Sequence, residues 1–161
     1  MKHLFCILAL TGLVASVSAQ IDEHPADPDA NKAACELYRD MFHYFAEAGI
    51  HNLLWVWTSE VGDDDWYPDD EYVDIVARDG YPKNNTAHIS QATDFRRLRQ
   101  SHPNKMTAMP ECNSVPSWEN MQKDDALWLM VAPWCGGCAF DHGNTNAFWQ
   151  QFLSEENIVS I

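Results

Sequence analysis

Positive charge is scarce in this chain. Ten Lys and Arg face 24 Asp and Glu across 161 residues, a formal net charge of −14. The few cations form no basic patch, which argues against nucleic acid and anionic membrane surfaces as partners. No Gly-rich phosphate-binding loop and no Ser/His/Asp order stands out, and His24, His43, His51, His88 and His102 are scattered. No unit repeats at a fixed period, and no low-complexity tract occurs beyond one acidic loop. The apolar run from Leu4 to Val17 falls short of the ~20 residues a membrane-spanning helix needs.

That run has another reading. Met1-Lys2-His3 is a short basic start, and Val17-Ser18-Ala19 ends in small residues, the pattern of a secretory signal peptide over residues 1–19, cut after Ala19. Cys6 lies inside the apolar core rather than at the cleavage point, which argues against a lipoprotein anchor. The expectation is a secreted or periplasmic protein with no membrane contact after cleavage. Losing Lys2 with the leader would leave 9 Lys and Arg against 24 acids, or −15. Cys35, Cys112, Cys135 and Cys138 would remain. Export permits disulfides, but their connectivity is not legible.

Residues 20–32 are acidic and contain two prolines, so they read as a linker. From Ala33 to Ala48, Ala34, Leu37, Tyr38, Met41, Phe42 and Phe45 recur at helical spacing, and Gly49 supplies a stop. Four apolar runs follow: Leu53–Thr58, Tyr72–Tyr81, Lys105–Cys112 and Ala126–Trp134. Ser59–Glu71 is a Gly-, Asp- and Pro-rich loop. Helices are expected over Ala87–Gln100 and Asn144–Leu153, with a weak one in Asn113–Asp125. Strands alternating with helices imply an α/β fold with a parallel sheet. Runs that end in aromatic or acidic residues suggest functional strand ends gathered on one rim, as in a β/α barrel. Seven Trp and five Tyr are a heavy aromatic load that fits core packing or sugar-stacking platforms.

The segments NLLWVWT (52–58), DDWYPDDEYVDIVARDGY (64–81), KMTAMPECNSVP (105–116) and LWLMVAPW (127–134) resemble the strand ends of glycoside hydrolase family 26, whose commonest members are endo-β-1,4-mannanases. LYRDMFHYFAEAGI (37–50) and NTNAFWQQFLSEENIVS (144–160) are similar to that family too. The resemblance covers residues 35 to 160 and only the fifth to eighth strands of a (β/α)8 barrel. It implies about four parallel strands with flanking helices, a partial TIM barrel over residues 33–161; a whole barrel usually takes about 250 residues.

By the same resemblance, Glu111 is the catalytic nucleophile, Tyr81 orients it and Asp79 bonds a neighbouring group or the substrate. Trp134 is the floor for a sugar, and Trp66 and Tyr67 form a more distant subsite. Trp57 fits the same rim or the core. The substrate implied is β-mannan or a mannooligosaccharide, and no cofactor or metal is expected. The family's proton donor, a Glu following a His at the fourth strand, has no match here, and Glu36 and Glu60 are not placed to substitute. A truncated, inactive hydrolase or a non-catalytic carbohydrate-binding remnant would follow. Open strand edges would favour self-association. The chain departs from the family's usual residues at Ala77, Pro82, Pro110 and Asn113. Pro110 removes a backbone donor just before the nucleophile.

Two rival motifs remain. Ala132-Pro133-Trp134-Cys135-Gly136-Gly137-Cys138 looks like a thioredoxin turn, which would make Cys135 and Cys138 a thiol–disulfide centre, although only 23 residues follow it. Cys112, Cys135, Cys138 and His142 have ligand types that suit zinc. Asn84-Asn85-Thr86 has the form of an N-glycosylation acceptor.

Overall fold

A computed structural model describes residues 6–8, 28–82 and 86–160, without the side chains of 6–8, Cys135 and Gly136. Most of the leader, its cleavage point, residues 20–27 of the linker and Asn84-Asn85 of the glycosylation motif lie outside the described residues. The chain divides into two compact units, Met1–Val76 and Ala77–Ile161.

In the first unit, strand β1 (Cys6–Leu8), drawn from the stretch read as a leader, pairs in parallel with β2 (Leu53–Thr58). Between them runs helix α1 (Pro28–Glu47), which starts earlier than the sequence pattern suggests. Its inner stripe is Asn31, Cys35, Tyr38, Phe42 and Phe45, spaced by three and four residues. The last three set their rings 5.6, 5.3 and 5.9 Å from the ring of Trp55 on β2. Leu37, expected on that stripe, is exposed instead. Gly49 ends the helix at φ +78°, a left-handed turn that costs glycine little, while Ile50 N–H donates to the Phe45 carbonyl at 2.9 Å.

β2 is apolar up to its last residue, Thr58, and Trp55, Val56 and Trp57 in succession are buried, as in a strand covered on both faces. Trp55 N–H donates to Asp74 Oδ2 and its carbonyl accepts from Asp74 N–H, both at 2.8 Å. The acidic excursion after β2 contains two short 3-10 turns, Asp64–Trp66 and Asp70–Tyr72. Arg39 ties it to α1, donating to the Pro68 carbonyl at 2.9 Å and pairing with the Asp69 carboxylate.

Strand β3 (Ile75–Ala77) crosses into the second unit and is shorter than the predicted run. There follow α2 (Ala92–Ser101), β4 (Met106–Cys112), α3 (Trp118–Lys123), β5 (Val131–Pro133), α4 (Cys135–Ala139) and α5 (Asn146–Phe152). The core holds Leu98 of α2, Ala108 and Met109 of β4, and Val115, Met121 and Ala126, all essentially without solvent contact. Helix α2 begins five residues later than its periodicity predicts, because His88 (φ +62°) and Gln91 (φ +53°) take left-handed conformations that no helix accommodates.

β4 and β5 run parallel, Met109 facing Val131 and Cys112 facing Pro133. Three steps along β4 therefore match two along β5, and a bulge falls at Pro110–Glu111. The expected continuous strand 126–134 shrinks to three residues. Ahead of it, Ala126 and Trp128 are buried while Leu127 and Leu129 are half-exposed, so this run is covered on one face only.

Candidate active site

The site of the second unit is built on two strand ends. Gly80 N–H donates to the Glu111 carbonyl at 2.7 Å, and Asn113 N–H donates to the Gly80 carbonyl at 3.3 Å. Segments 79–81 and 111–113 therefore run side by side in fixed register. Gly80 lets the ends of the Gln91 and Met109 side chains close over the backbone. A Cβ there would stand 2.3 Å from Gln91 Nε2 and 2.6 Å from Met109 Sδ.

Pro110 belongs to this geometry. A proline inside a sheet is tolerated at a bulge, where no ladder donor is needed, and a bulge re-aims the side chain beside it. The lost donor that the sequence flags at Pro110 is absorbed by the shift in register. Glu111 follows directly, half-buried, with its Oε1 accepting a hydrogen bond from the Tyr81 hydroxyl.

Tyr81 is held far above the ordinary phenol range, first by burial, then by its bond to Glu111 and by the charges of Glu111, Asp79 and Cys138. Its hydroxyl thus stays a donor at any ordinary pH. The next residue, Cys112, has no solvent exposure and donates from Sγ to the Ala132 carbonyl at 3.3 Å. Burial, with the nearby Cys138, Asp79 and Glu111, pushes its thiol up to about 12. Asp79 and Glu111 are the carboxylic groups of this cluster, set beside the neutral Tyr81 hydroxyl and Cys112 thiol. Two carboxylates there suit positive charge developing on a bound group.

Trp134 caps α4, lies 53% exposed, and donates its N–H to the Cys112 carbonyl at 2.7 Å. The second unit brings Asp79, Tyr81, Glu111 and Trp134 together around the ends of β3, β4 and β5. The Cys135–Cys138 motif does open a helix, one of five residues.

The remaining aromatic candidates belong to the first unit. Trp57 is buried, its ring 4.9 Å from that of Tyr67 at 67°. The Tyr67 hydroxyl donates to Asp70 Oδ1 at 2.7 Å, and burial with that bond lifts its ionisation well above the usual range. Trp66 is 41% exposed. Glu36 faces Lys32 one helical turn away at 3.7 Å. Among the described residues no cluster of three His, Cys, Asp or Glu could hold a metal ion, and no helix is long and apolar enough to cross a membrane.

Two residues behind the site escaped the sequence reading. The His88 ring nitrogens stand 2.8 and 2.9 Å from the carbonyl oxygens of Val115 and Gly143, and its ring stacks on Phe148 at 3.9 Å. Asn144, fully buried, bonds the segments on either side of it. Apart from the Cys138 carbonyl, six residues before Asn144, the hydrogen-bond partners of their side chains lie 27 to 55 residues away in the chain, so little local pattern announces them.

Comparison with known proteins places this geometry. The sequence profile of Glycosyl hydrolase family 26 matches residues 26–147. A mannan endo-1,4-beta-mannosidase of Thermothelomyces thermophilus is 37% identical over 86 residues, 53% of this chain and 17% of its own length. A Bacillus subtilis enzyme of the same name is 42% identical over 50 residues, 29% of this chain and 14% of its own. Among solved structures, a β-mannanase from a symbiotic protist of the termite Reticulitermes speratus, complexed with gluco-manno-oligosaccharide, superposes with a TM-score of 0.71 at 29% identity. That match covers 81% of this chain and 41% of the other. The family 26 domain of a Prevotella bryantii endo-β-mannanase/endo-β-glucanase gives 0.67 at 33% identity, covering 80% and 40%.

The chain therefore spans less than half the length of these structures and under a fifth of the two curated relatives. Its α/β elements are about four parallel strands of a (β/α)8 barrel with their helices. By the match over residues 26–147, the chain belongs to glycosyl hydrolase family 26.

Proposed function

We propose that this chain carries the nucleophile side of a retaining glycosidase acting on β-1,4-linked mannan. Glu111 attacks the anomeric carbon, and Tyr81 holds its carboxylate in place. Asp79 adds negative charge beside an oxocarbenium-like transition state, and Trp134 offers a flat face to the sugar. The carrying observation is the hydrogen bond from the Tyr81 hydroxyl to Glu111 Oε1 at neighbouring strand ends. The mannanase relatives and the oligosaccharide-bound structural match support the choice of substrate.

Retaining chemistry needs a second carboxyl about 5–5.5 Å from the first, to protonate the leaving oxygen. Acid–base assistance of that kind is worth ~10²–10⁴-fold. No segment of the chain matches the family's acid/base Glu, so mannan itself is a poor probe. A β-mannoside with a dinitrophenolate leaving group needs little protonation and is the informative substrate. The expected outcome is a burst of dinitrophenolate with a mannosyl adduct on Glu111, lost in Glu111→Ala. A chain that takes up no mannosyl group, with or without Glu111, would refute the reading.

The half-exposed Trp134 favours a second reading, sugar binding without cleavage. It predicts a saturable change in Trp fluorescence with mannooligosaccharide whether or not the burst appears. The proposal includes export, with cleavage removing β1 and leaving Gln20 as the N-terminal residue of the secreted protein by sequencing, and self-association through the open strand edges.

A further inference from the structure

One buried side chain joins the segment behind Glu111 to the turn that carries Trp134. Asn144 sits between Gly143 and the start of α5 with no solvent exposure. Its Oδ1 accepts from Val115 N–H at 3.0 Å. Its Nδ2 donates to the Asn113 carbonyl at 2.9 Å and to the Cys138 carbonyl at 2.7 Å. An amide offers two donors and an acceptor oxygen, and all three functions are used, each on backbone. On the far side of the same turn, Trp134 N–H bonds the Cys112 carbonyl. The turn 134–138 is thus fastened to the segment after Glu111 at both ends, once by Trp134 and once by Asn144.

The position of Asn144 is itself fixed. Gly143 (φ +92°) has no room for a Cβ, which would stand 2.8 Å from the Ala87 Cβ. Its carbonyl faces His88 Nε2, whose ring also faces the Val115 carbonyl. A side chain held this rigidly transmits any change in its hydrogen bonding directly to Asn113 and Cys138. Asn113 is two residues from Glu111, and Cys138 lies in the electrostatic neighbourhood of Tyr81.

We infer that Asn144 is a positioning residue. By tying the Asn113 and Cys138 carbonyls to Val115 N–H, it keeps the Glu111 carboxylate on the Tyr81 hydroxyl and Trp134 in register with both. It touches no sugar. The consequence for catalysis rests on the reading of Glu111 as nucleophile, whereas the consequence for the Tyr81–Glu111 bond does not.

The test uses the full chain with Asn144→Asp and Asn144→Ser. The first keeps the shape but sets carboxylate lone pairs against two carbonyls; the second leaves a small polar gap. Thr145→Ala removes the neighbouring helix cap, which accepts from Phe148 N–H at 3.1 Å, and serves as a control for simple destabilisation. Two signals are read: the NMR resonance of the Tyr81 Cζ carbon, and the mannosylation of Glu111 by an activated mannosyl fluoride, resolved into binding and rate constants. Both Asn144 variants are expected to shift the Tyr81 resonance toward its value in Glu111→Gln. Their mannosylation rate should fall up to about 100-fold with binding nearly unchanged, while Thr145→Ala moves neither signal.

An unchanged Tyr81 resonance in either folded Asn144 variant overturns the inference. So does failure of both variants to fold while Thr145→Ala folds, which would make Asn144 a plain structural residue. If the wild-type chain takes up no mannosyl group, the nucleophile reading fails, and the Tyr81 resonance alone decides the role of Asn144.

Discussion

The thiol of Cys112 lies one residue beyond Glu111, sealed from solvent, with an ionisation raised from 9.0 to about 12 chiefly by burial. In the native state it keeps its proton up to about pH 12, whereas in the unfolded chain it loses it from about pH 9. Between those values the unfolded state binds fewer protons, so stability falls as pH rises, by about 1.4 kcal/mol per pH unit from this one group. Below pH 9 its contribution is fully present. Cys112→Ala should therefore show a shallower loss of stability between pH 9 and 12 in urea unfolding, against a wild type that steepens. Equal slopes would mean that the thiol is open to water in solution. Residue-level legibility was uneven around this position. Glu111 stood out because an apolar run stops abruptly there and resembles a known strand end. Pro110 read as a defect, because a register shift is a property of two strands and no single strand displays it. His88 and Asn144 carry little local signal, because nearly every group their side chains hold is distant in sequence, the Cys138 carbonyl six residues before Asn144 being the exception.

Among the elements, α1 was the most legible, since twenty residues give the 3.6-residue period room to show. Even there the stripe was read one position too wide: Leu37 fits the period by count but points outward, and Cys35 takes the buried place. Helix α2 shows the opposite failure. Phe95 and Leu98 sit on it at helical spacing, but Ile89 of the expected helix lies ahead of it, because His88 gives its N–H, its carbonyl and its ring to the 114–120 region. A residue bonded in that way cannot contribute to a helical ladder. Helices α3 and α5 both begin after hydroxyl caps. Ser117 accepts from Asn120 N–H at 3.2 Å and Thr145 from Phe148 N–H at 3.1 Å, a local signal that fixes where each helix starts. The final apolar run, 126–134, is strand only over Val131–Pro133, and continuous hydrophobicity does not reveal how many faces are covered. Ahead of β5, buried Ala126 and Trp128 alternate with half-exposed Leu127 and Leu129, so one side of this segment lies open.

At the scale of the whole molecule, that open face opposes the charge. Among the described residues β5 pairs with β4 alone, and Met106, Leu127, Leu129 and Trp134 expose between 47 and 55% of their surface nearby. A sheet edge flanked by apolar side chains favours pairing with another chain. A net charge of −14 works against it, because like-charged copies repel over roughly 10 Å at ~0.1 M salt and over shorter distances as salt rises. Association driven by the edge should therefore strengthen with ionic strength, whereas association driven by ion pairs would weaken. Sedimentation velocity of the full chain is expected to show a mass that rises with protein concentration, and further when salt goes from ~0.1 to ~1 M. Leu129→Lys, which places a cation on the half-exposed edge, should return the sedimenting species toward the monomer, as charged edge residues do in natural sheets. A monomer that ignores both concentration and salt would remove self-association from the proposal and leave the exposed leucines without a physical account.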